Sequence, residues 1–181
     1  PKTGNILEIP ADFEGFERNT NGAWQNLGDE ELNTISHPHQ YDTEAGNVVG
    51  QHNGAHYFTI GQRKGLAVGG TAEPLFVIET NTQTNTIYTG QGENHPGLYR
   101  KGLFIPAGDV HWLREDLRME VGESREFLCR IRYRQPLQKA QLYCKENGTY
   151  IIFKSPQRGI ARGQFAAWYD GDELIGSGVI G

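Results

Sequence analysis

The sequence has few of the features that mark membrane, secreted or disulfide-rich proteins. Its longest uninterrupted apolar runs are only a few residues, far below the ~18 residues that a membrane-spanning helix needs, and no charged and then apolar leader opens the chain. Two cysteines among 181 residues argue against a disulfide scaffold and fit a reducing compartment. We therefore expect a cytoplasmic protein that does not span a membrane.

Methionine and several nucleotide-binding or catalytic motifs are also scarce. The chain begins with Pro1 and its only methionine is Met119, so we expect a longer protein with further motifs upstream. No Gly-Lys-Ser/Thr phosphate loop, no Gly-x-Ser-x-Gly elbow and no Gly-x-Gly-x-x-Gly after a predicted strand occurs. Nucleotide binding and hydrolytic catalysis therefore have no candidate residues within this chain.

Glycine, by contrast, is abundant, with 24 residues, or about 13% against ~7% on average. Short β-prone runs alternate with Gly, Asn and Asp clusters, and in the second half they follow one another every ~8–15 residues, as in a sandwich or barrel. The predicted strands cover residues 55–60, 74–79, 86–89, 109–113, 125–134, 137–144, 149–154, 164–169 and 173–180.

These runs predict a mainly β chain in two parts. We assign residues 47–98 to a small central β domain and residues 102–181 to a C-terminal antiparallel β-barrel. Residues 1–46 are expected to form an irregular acidic arm that belongs to the central domain, with a helical turn at 29–35. Asn147-Gly148 and Asp170-Gly171 predict type I′ hairpins within the barrel.

The formal net charge of −5 is unevenly distributed along the chain. Residues 1–46 carry two basic and nine acidic residues, whereas residues 100–164 carry thirteen basic and seven acidic residues. An asymmetry of this kind is typical of a protein with an RNA-facing or phosphate-facing half.

The most basic predicted strand covers residues 125–134. Alternation of side chains would turn Tyr133 inward and place Arg130, Arg132 and Arg134 about 7 Å apart in one exposed row. Forked guanidinium groups suit successive phosphate oxygens, so this row is a candidate nucleic-acid contact. A solvated strand face paired with glutamates across the sheet remains an alternative.

Two loops add further basic residues. Arg63 and Lys64 lie between glycines that permit a tight, cationic turn, although an ordinary charged hairpin end would look the same. Residues 155–164 form a polar, basic loop whose last residue, Gln164, can donate and accept hydrogen bonds toward a base edge or sugar. A surface loop with incidental arginines is the alternative there.

Histidine and cysteine spacing gives no support for a metal site or a nucleophile. His52 and His56 are four residues apart, which helps only on a helix, and the sequence predicts a strand there. Cys129 and Cys144 have the parity of small core residues rather than of accessible thiolates. We therefore expect no metal site and no catalytic residue in this chain.

Six strings of the sequence occur in a characteristic order. They are Gly50-Gln-His-Asn-Gly54, Tyr57-Phe-Thr-Ile-Gly-Gln-Arg-Lys-Gly-Leu66, Gly69-Gly70, Arg130-Ile-Arg-Tyr-Arg134, Gly163-Gln164 and Tyr169-Asp-Gly-Asp-Glu-Leu-Ile-Gly-Ser-Gly-Val-Ile180. In this order they resemble the central and C-terminal parts of the tRNA-specific 2-thiouridylase family, over residues 46–181. The string Thr-Ile-Gly-Gln-Arg-Lys-Gly-Leu is the most specific of them.

The resemblance implies a parent enzyme, a tRNA-uridine 2-sulfurtransferase, that places sulfur on C2 of the wobble uridine of tRNAs for Lys, Glu and Gln. In this family an N-terminal domain uses ATP to adenylate the C2 oxygen, and a cysteine persulfide, supplied by a sulfur-relay protein, delivers the sulfur. The family's Ser-Gly-Gly-x-Asp-Ser loop and its catalytic cysteines match nothing in this chain. The chain is therefore expected to be inactive alone and to hold the tRNA.

The family's tRNA-contacting residues fall on Arg132, Tyr133 and Gln164, and we expect further phosphate contacts at the other exposed basic positions of these motifs. Those positions are Arg63, Lys64, Arg130 and Arg134. A tRNA contact requires an accessible Tyr133, so a bulge or a strand end before Pro136 is needed to overcome the inward alternation.

The chain departs from the family pattern at two places. Arg162 stands where the family usually has proline, and residues 5–44 are much longer than the usual linker. A stand-alone, non-catalytic β-barrel that docks onto a protein through the acidic arm is the main alternative function. A metal-dependent hydrolase is a more distant one.

Overall fold

The chain forms two compact units in a computed structural model that describes residues 2–19 and 22–181. The first unit comprises the residues up to Glu17 together with Pro38–Tyr99, and the second comprises Arg18–His37 and Arg100–Gly181. Residues 1–46, expected as one arm of the central domain, are thus shared between the units, and residues 1, 20 and 21 of that arm lie outside the described residues.

The first unit is built on a four-stranded sheet in the order β2-β1-β4-β3. Its strands are β1 (Gly4–Glu8), β2 (Asn47–His52), β3 (Leu75–Asn81) and β4 (Thr86–Gln91). Strand β1 pairs antiparallel with β2 and parallel with β4, so it lies in the middle of the sheet rather than in an irregular arm. Its Ile6 and Leu7 are fully buried.

The predicted strand at residues 55–60 is wrong. A 3₁₀ turn, Ala55–Tyr57, stands there instead. The Ala55 N–H donates to Oδ1 of Asn85 at 3.0 Å, and the Gly54 N–H donates to Nδ1 of His52 at 3.0 Å. These two bonds turn the chain immediately after β2, and Gly54 adopts a positive φ of 148° in which a side chain would be strained.

The second unit is a curled seven-stranded sheet in the order β5-β9-β8-β7-β10-β11-β6. The strands are β5 (Tyr99–Pro106), β6 (Val110–Trp112), β7 (Ser124–Arg130), β8 (Gln138–Lys145), β9 (Gly148–Arg158), β10 (Phe165–Asp170) and β11 (Glu173–Val179). The curl encloses an apolar core that includes Leu103, Cys129, Phe153 and Trp168, all fully buried. The predicted mainly β fold with an antiparallel C-terminal barrel is confirmed.

One α-helix, α1 (Asp29–Ser36), packs on strand β9 of the second unit, where a helical turn was predicted. The Gly28 N–H donates to the Glu31 carboxylate at 2.8 Å, which caps the first turn. Leu32 is fully buried in a cluster with Tyr143, Tyr150 and Ile152. Short 3₁₀ helices occur at Phe16–Asn19, Pro96–Leu98, Ala107–Asp109 and Glu115–Leu117.

Both predicted hairpins form, but their turns are not of type I′. Strands β8 and β9 pair antiparallel, as do β10 and β11. By the pairing register the two-residue loops are Glu146-Asn147 and Gly171-Asp172, and among the described residues only Gly171 of these four has a positive φ, of 57°. A type I′ turn needs positive φ at both central residues.

In the described part of the chain, no helix is both long and apolar enough to cross a membrane.

Candidate nucleic-acid interface

The arginine-rich segment leaves the sheet earlier than its sequence predicts. Strand β7 ends at Arg130, and residues 131–135 form a turn. In this turn the Ile131 N–H donates to Oε1 of Gln135 at 2.9 Å, and the Gln135 N–H donates to the Arg132 carbonyl at 3.1 Å. The single exposed row of three arginines is therefore wrong, because only Arg130 belongs to a strand.

Tyr133 is 85% exposed, so the inward orientation given by strict alternation is wrong. Alternation applies only while the backbone is extended, and the chain has already entered the turn at this residue. The strand end that an accessible tyrosine requires is therefore present, three residues before Tyr133.

Arg130 holds this turn against the neighbouring strand β10. Its guanidinium lies 4.9 Å from the ring centroid of Tyr169 and 5.4 Å from that of Tyr133. It donates from Nε and Nη2 to the Tyr169 hydroxyl at 3.1 and 2.8 Å, and from Nη1 to the Tyr133 carbonyl at 2.9 Å. Since most of its donors are used within the protein, Arg130 is better suited to positioning Tyr133 than to binding a ligand.

Arg132 is fixed by the loop that connects β9 to β10. Its Nη2 donates to the carbonyl oxygens of Arg158 at 2.5 Å and Gly159 at 3.2 Å. Arg132 is otherwise exposed, so its other N–H groups can contact a ligand. A guanidinium that is already oriented loses less conformational entropy on binding an anion.

Gln164 lies at the end of the same loop and is half-buried. Its Oε1 accepts from the Ala161 N–H at 3.3 Å, and its carbonyl accepts from the Ile180 N–H at 2.8 Å. In the described part of the chain its Nε2 donates to no other residue. The structure thus brings Arg132, Tyr133 and Gln164 to one end of the β7–β10 pair.

Sequence reasoning missed the two glutamines that hold the turn in place. Gln135 donates from Nε2 to Oε1 of Gln157 at 2.6 Å, and Gln157 donates to the Ser155 carbonyl at 2.8 Å. Gln157 is buried on β9. These side chains are 22 positions apart, so no local pattern in the sequence reveals that they meet.

We call Arg130, Arg132, Tyr133, Arg134 and Gln164 the basic corner. Ion pairs found among the described residues involve Arg114, Arg118, Arg125, Lys139 and Lys145, and none involves an arginine of the basic corner. The residue of β10 that pairs with Arg130 is Ala167 rather than a glutamate. The positive charge of the basic corner is therefore not neutralised by carboxylates, which favours an anionic ligand.

The second pair of predicted basic contacts lies in the first unit. Arg63 and Lys64 are exposed at the tip of a loop that is tied to β3 by bonds from the Gly61 N–H to the Val77 carbonyl and from the Val77 N–H to the Gln62 carbonyl. Beside this loop is an open cavity of about 420 Å³, lined by Arg63 and residues 66–75.

Among the described residues, the two cysteines and the possible metal ligands do not come together in a second site. Burial raises the pKa of the Cys129 thiol, and burial together with Glu123 raises that of Cys144, so neither suits a nucleophilic thiolate. Across residues 2–19 and 22–181, no three His, Cys, Asp or Glu side chains come together in a group that could hold a metal.

Two family models match the chain. The aminomethyltransferase beta-barrel domain matches residues 104–180, and the tRNA methyl transferase PRC-barrel domain matches residues 34–91. These ranges lie mostly in the second and first units respectively.

Several curated proteins are similar to the chain over most of its length. It is 59% identical over 182 residues to the tRNA-specific 2-thiouridylase of Flavobacterium johnsoniae and 52% identical over 179 residues to that of Christiangramia forsetii. Both alignments cover 99% of this chain and 45% of the relative. A third, from Karelsulcia muelleri, is 48% identical over 141 residues, with 78% of this chain and 36% of the relative covered. The chain therefore spans less than half the length of these relatives.

Proposed function

Because the chain belongs to the tRNA-specific 2-thiouridylase family, we propose that it is the tRNA-binding central and C-terminal portion of such an enzyme. The observation that carries this proposal is the basic corner, where an oriented Arg132 and an exposed Tyr133 lie at the same end of the β7–β10 pair as Gln164, without ion-paired carboxylates. Arginine, tyrosine and glutamine together supply phosphate contacts, stacking and base-edge hydrogen bonds.

The basic corner suggests a role for each residue. Arg132 contacts a backbone phosphate with the N–H groups that face solvent, and Tyr133 stacks on or packs against the tRNA. Gln164 donates from Nε2 to a base edge or a ribose oxygen. Arg130 holds Tyr133, while Arg134, Arg63 and Lys64 add phosphate contacts that contribute affinity but little sequence discrimination.

The chemical steps of the whole enzyme belong outside this chain. In the proposed reaction ATP activates the C2 oxygen of the wobble uridine, position 34, and a cysteine persulfide then supplies the sulfur. The residues present do not fit either role, since no Ser-Gly-Gly-x-Asp-Ser loop occurs, Cys129 is buried and Cys144 is half-buried beside the Glu123 and Glu120 carboxylates. This chain would hold tRNAs for Lys, Glu and Gln in the cytoplasm while the remainder of the enzyme, charged by a sulfur-relay donor, acts.

The proposal is tested by measuring the affinity of the chain for an unmodified tRNA-Lys transcript across a salt series. Binding through several phosphates should weaken steeply as salt rises. Arg132→Ala should weaken binding about 10-fold or more, because a charge-assisted hydrogen bond is worth ~1.5–3 kcal/mol, and should reduce the salt slope by about one. Arg132→Ala combined with Gln164→Ala should weaken it further.

Arg118→Ala is the matched control, since Arg118 is an exposed arginine of the same unit that pairs with Glu115 outside the basic corner. Its affinity should stay within about twofold of the native chain. If the native chain shows no salt-sensitive tRNA binding, or if the double variant binds as the native chain does, the proposed function of the basic corner is wrong. Salt-insensitive binding to a protein would instead favour an interaction module.

A further inference from the structure

Strand β10 presents an exposed aromatic ring directly beside the basic corner. Phe165, its first residue, is 64% exposed, whereas Ala166 and Trp168 on the opposite face are fully buried. Phe165 immediately follows Gln164 in the chain. A single exposed ring is common on protein surfaces and indicates no binding by itself. Its place one residue after Gln164 of the basic corner makes it a candidate contact.

The sheet surface next to this ring carries small side chains. On the outward face, Ala167 pairs with Arg130 of β7 on one side and with Ser177 of β11 on the other. Ser177 in turn pairs with His111 of β6. Two small residues therefore separate an arginine from a histidine in a row across four adjacent strands. Phe165 and its partner Val179 form the next row on the same face.

The charge of this surface favours an anionic partner such as RNA over a neutral or basic protein. None of the outward residues in these two rows is acidic, and the loop at residues 158–164 that adjoins Phe165 also carries the exposed Arg162. Proteins bind unpaired nucleotides with aromatic rings on positively charged surfaces. Every base has a π face that can stack on such a ring while the cations contact the backbone.

We propose that Phe165 is a stacking site for an unpaired base of the bound tRNA, and that this nucleotide packs over the small side chains of Ala167 and Ser177. This inference rests on the proposed tRNA-binding function and extends the binding surface from the basic corner onto the outer face of β10 and β11. The base stacks on Phe165 while Arg130 and Arg132 lie on the β7 side of the same surface.

The test compares three substitutions of one side chain in the same tRNA-Lys binding assay. Phe165→Ala should weaken affinity about 5- to 150-fold, the range expected for one stacked base. Phe165→Trp should keep affinity within about twofold because it retains a ring that stacks. Phe165→Leu should lose nearly as much as alanine, although it keeps an apolar side chain of similar size.

The salt dependence separates this contact from those of the arginines. Loss of a stacking contact should lower affinity by a constant factor at every salt concentration and leave the slope unchanged. Val121→Ala, which alters another exposed apolar residue of the same unit (60% exposed), should bind as the native chain does. Thermal melts of each variant establish that the fold is intact.

Each outcome bears on a distinct claim. If Phe165→Ala binds like the native chain while Arg132→Ala does not, the stacking site is wrong and the basic corner stands. If Phe165→Leu retains full affinity, the contact is apolar packing and base stacking is likewise wrong. If the native chain does not bind tRNA at all, the proposed function fails, and the stacking site fails with it.

Discussion

At the scale of single residues, Gly159 determines how the loop at residues 158–164 meets Arg132. Its φ is +73°, a region that costs L side chains about 1 kcal/mol or more. A Cβ at this position would lie 2.3 Å from Nη2 of Arg132. The guanidinium can therefore reach the Gly159 carbonyl only because the residue has no side chain.

Gly159→Ala should displace the Arg132 guanidinium and weaken tRNA binding about as much as Arg132→Ala does. The variant should also lose about 1 kcal/mol of stability from the positive φ. Gly122→Ala is the control, because Gly122 has a similar φ of +94° but no atom within 4 Å of the added Cβ. It should lose comparable stability in urea denaturation and keep its tRNA affinity, and equal affinity losses in both variants would contradict the steric explanation.

At the scale of secondary-structure elements, helix α1 is an integral part of the second unit. The family models match residues 34–91 and 104–180, so most of the helix precedes both matched ranges. The structure nevertheless buries Leu32 completely against Tyr143, Tyr150 and Ile152. Lys145 pairs with Asp29 at 2.7 Å, and the Tyr143 hydroxyl donates to the Trp24 carbonyl at 2.7 Å.

Leu32→Ala should therefore destabilise the second unit by about 2–5 kcal/mol, the usual range for a leucine removed from a packed core. Glu30→Ala, on the exposed side of the same helix, should change stability by less than about 0.5 kcal/mol. Urea denaturation followed by tryptophan fluorescence measures both. A loss below 1 kcal/mol for Leu32→Ala would mean that the helix contributes little to this unit.

Local patterns predicted the elements whose partners are close in sequence. The predicted strands at residues 137–144, 149–154, 164–169 and 173–180 are confirmed, because they form two hairpins, β8 with β9 and β10 with β11, and apolar alternation reports their buried faces. Strand β1 was missed because its parallel partner is β4, about 80 residues later. Strand β5 was missed because its apolar run directly follows the Pro96–Leu98 turn and looked like a connector.

The candidate site was predictable in composition but not in geometry. Arg132, Tyr133 and Gln164 were named from the resemblance, and Arg132 also from charge. Their arrangement depends on Gln135 meeting Gln157, a contact between distant parts of the chain. The exposure of Phe165 was equally hidden, because a phenylalanine at a strand start looks like a core residue in the sequence.

At the scale of the whole molecule, the two units differ in charge and in spectroscopic reporters. The first unit contains three basic and nine acidic residues, and the second contains fourteen basic and thirteen acidic residues. The unit with the basic corner is thus almost neutral overall, so the proposed tRNA binding depends on the local arrangement of charges rather than on net charge. All three tryptophans, Trp24, Trp112 and Trp168, lie in the second unit, and their fluorescence reports on that unit alone.

The first unit contains a buried histidine whose hydrogen bonds require a neutral ring. His95 is 3% exposed, and its Nδ1 accepts from the Gly97 N–H at 3.1 Å. Its Nε2 therefore carries the proton and donates to the Ile9 carbonyl at 2.9 Å. Burial lowers the pKa of His95, and the Ile9 carbonyl and the Glu8 carboxylate only partly oppose that shift.

Acidification should consequently destabilise the first unit. Above pH ~6.5, the ordinary pKa of histidine, His95 is neutral in both folded and unfolded chains and the full stability is present. As the pH falls below that value, the unfolded chain binds a proton that the folded chain resists, and stability declines by up to about 1.4 kcal/mol per pH unit until the lowered pKa of the folded state is reached.

Urea denaturation between pH 7.5 and 5.5, followed by far-UV circular dichroism and by tryptophan fluorescence, measures this decline. His95→Gln should be less stable at pH 7.5, because the smaller amide fills the site less well, but its circular dichroism transition should depend less on pH than that of the native chain. The fluorescence transition of the second unit serves as the internal reference in both proteins. Equal pH dependence of the native chain and His95→Gln would show that His95 is not the group whose protonation weakens the first unit.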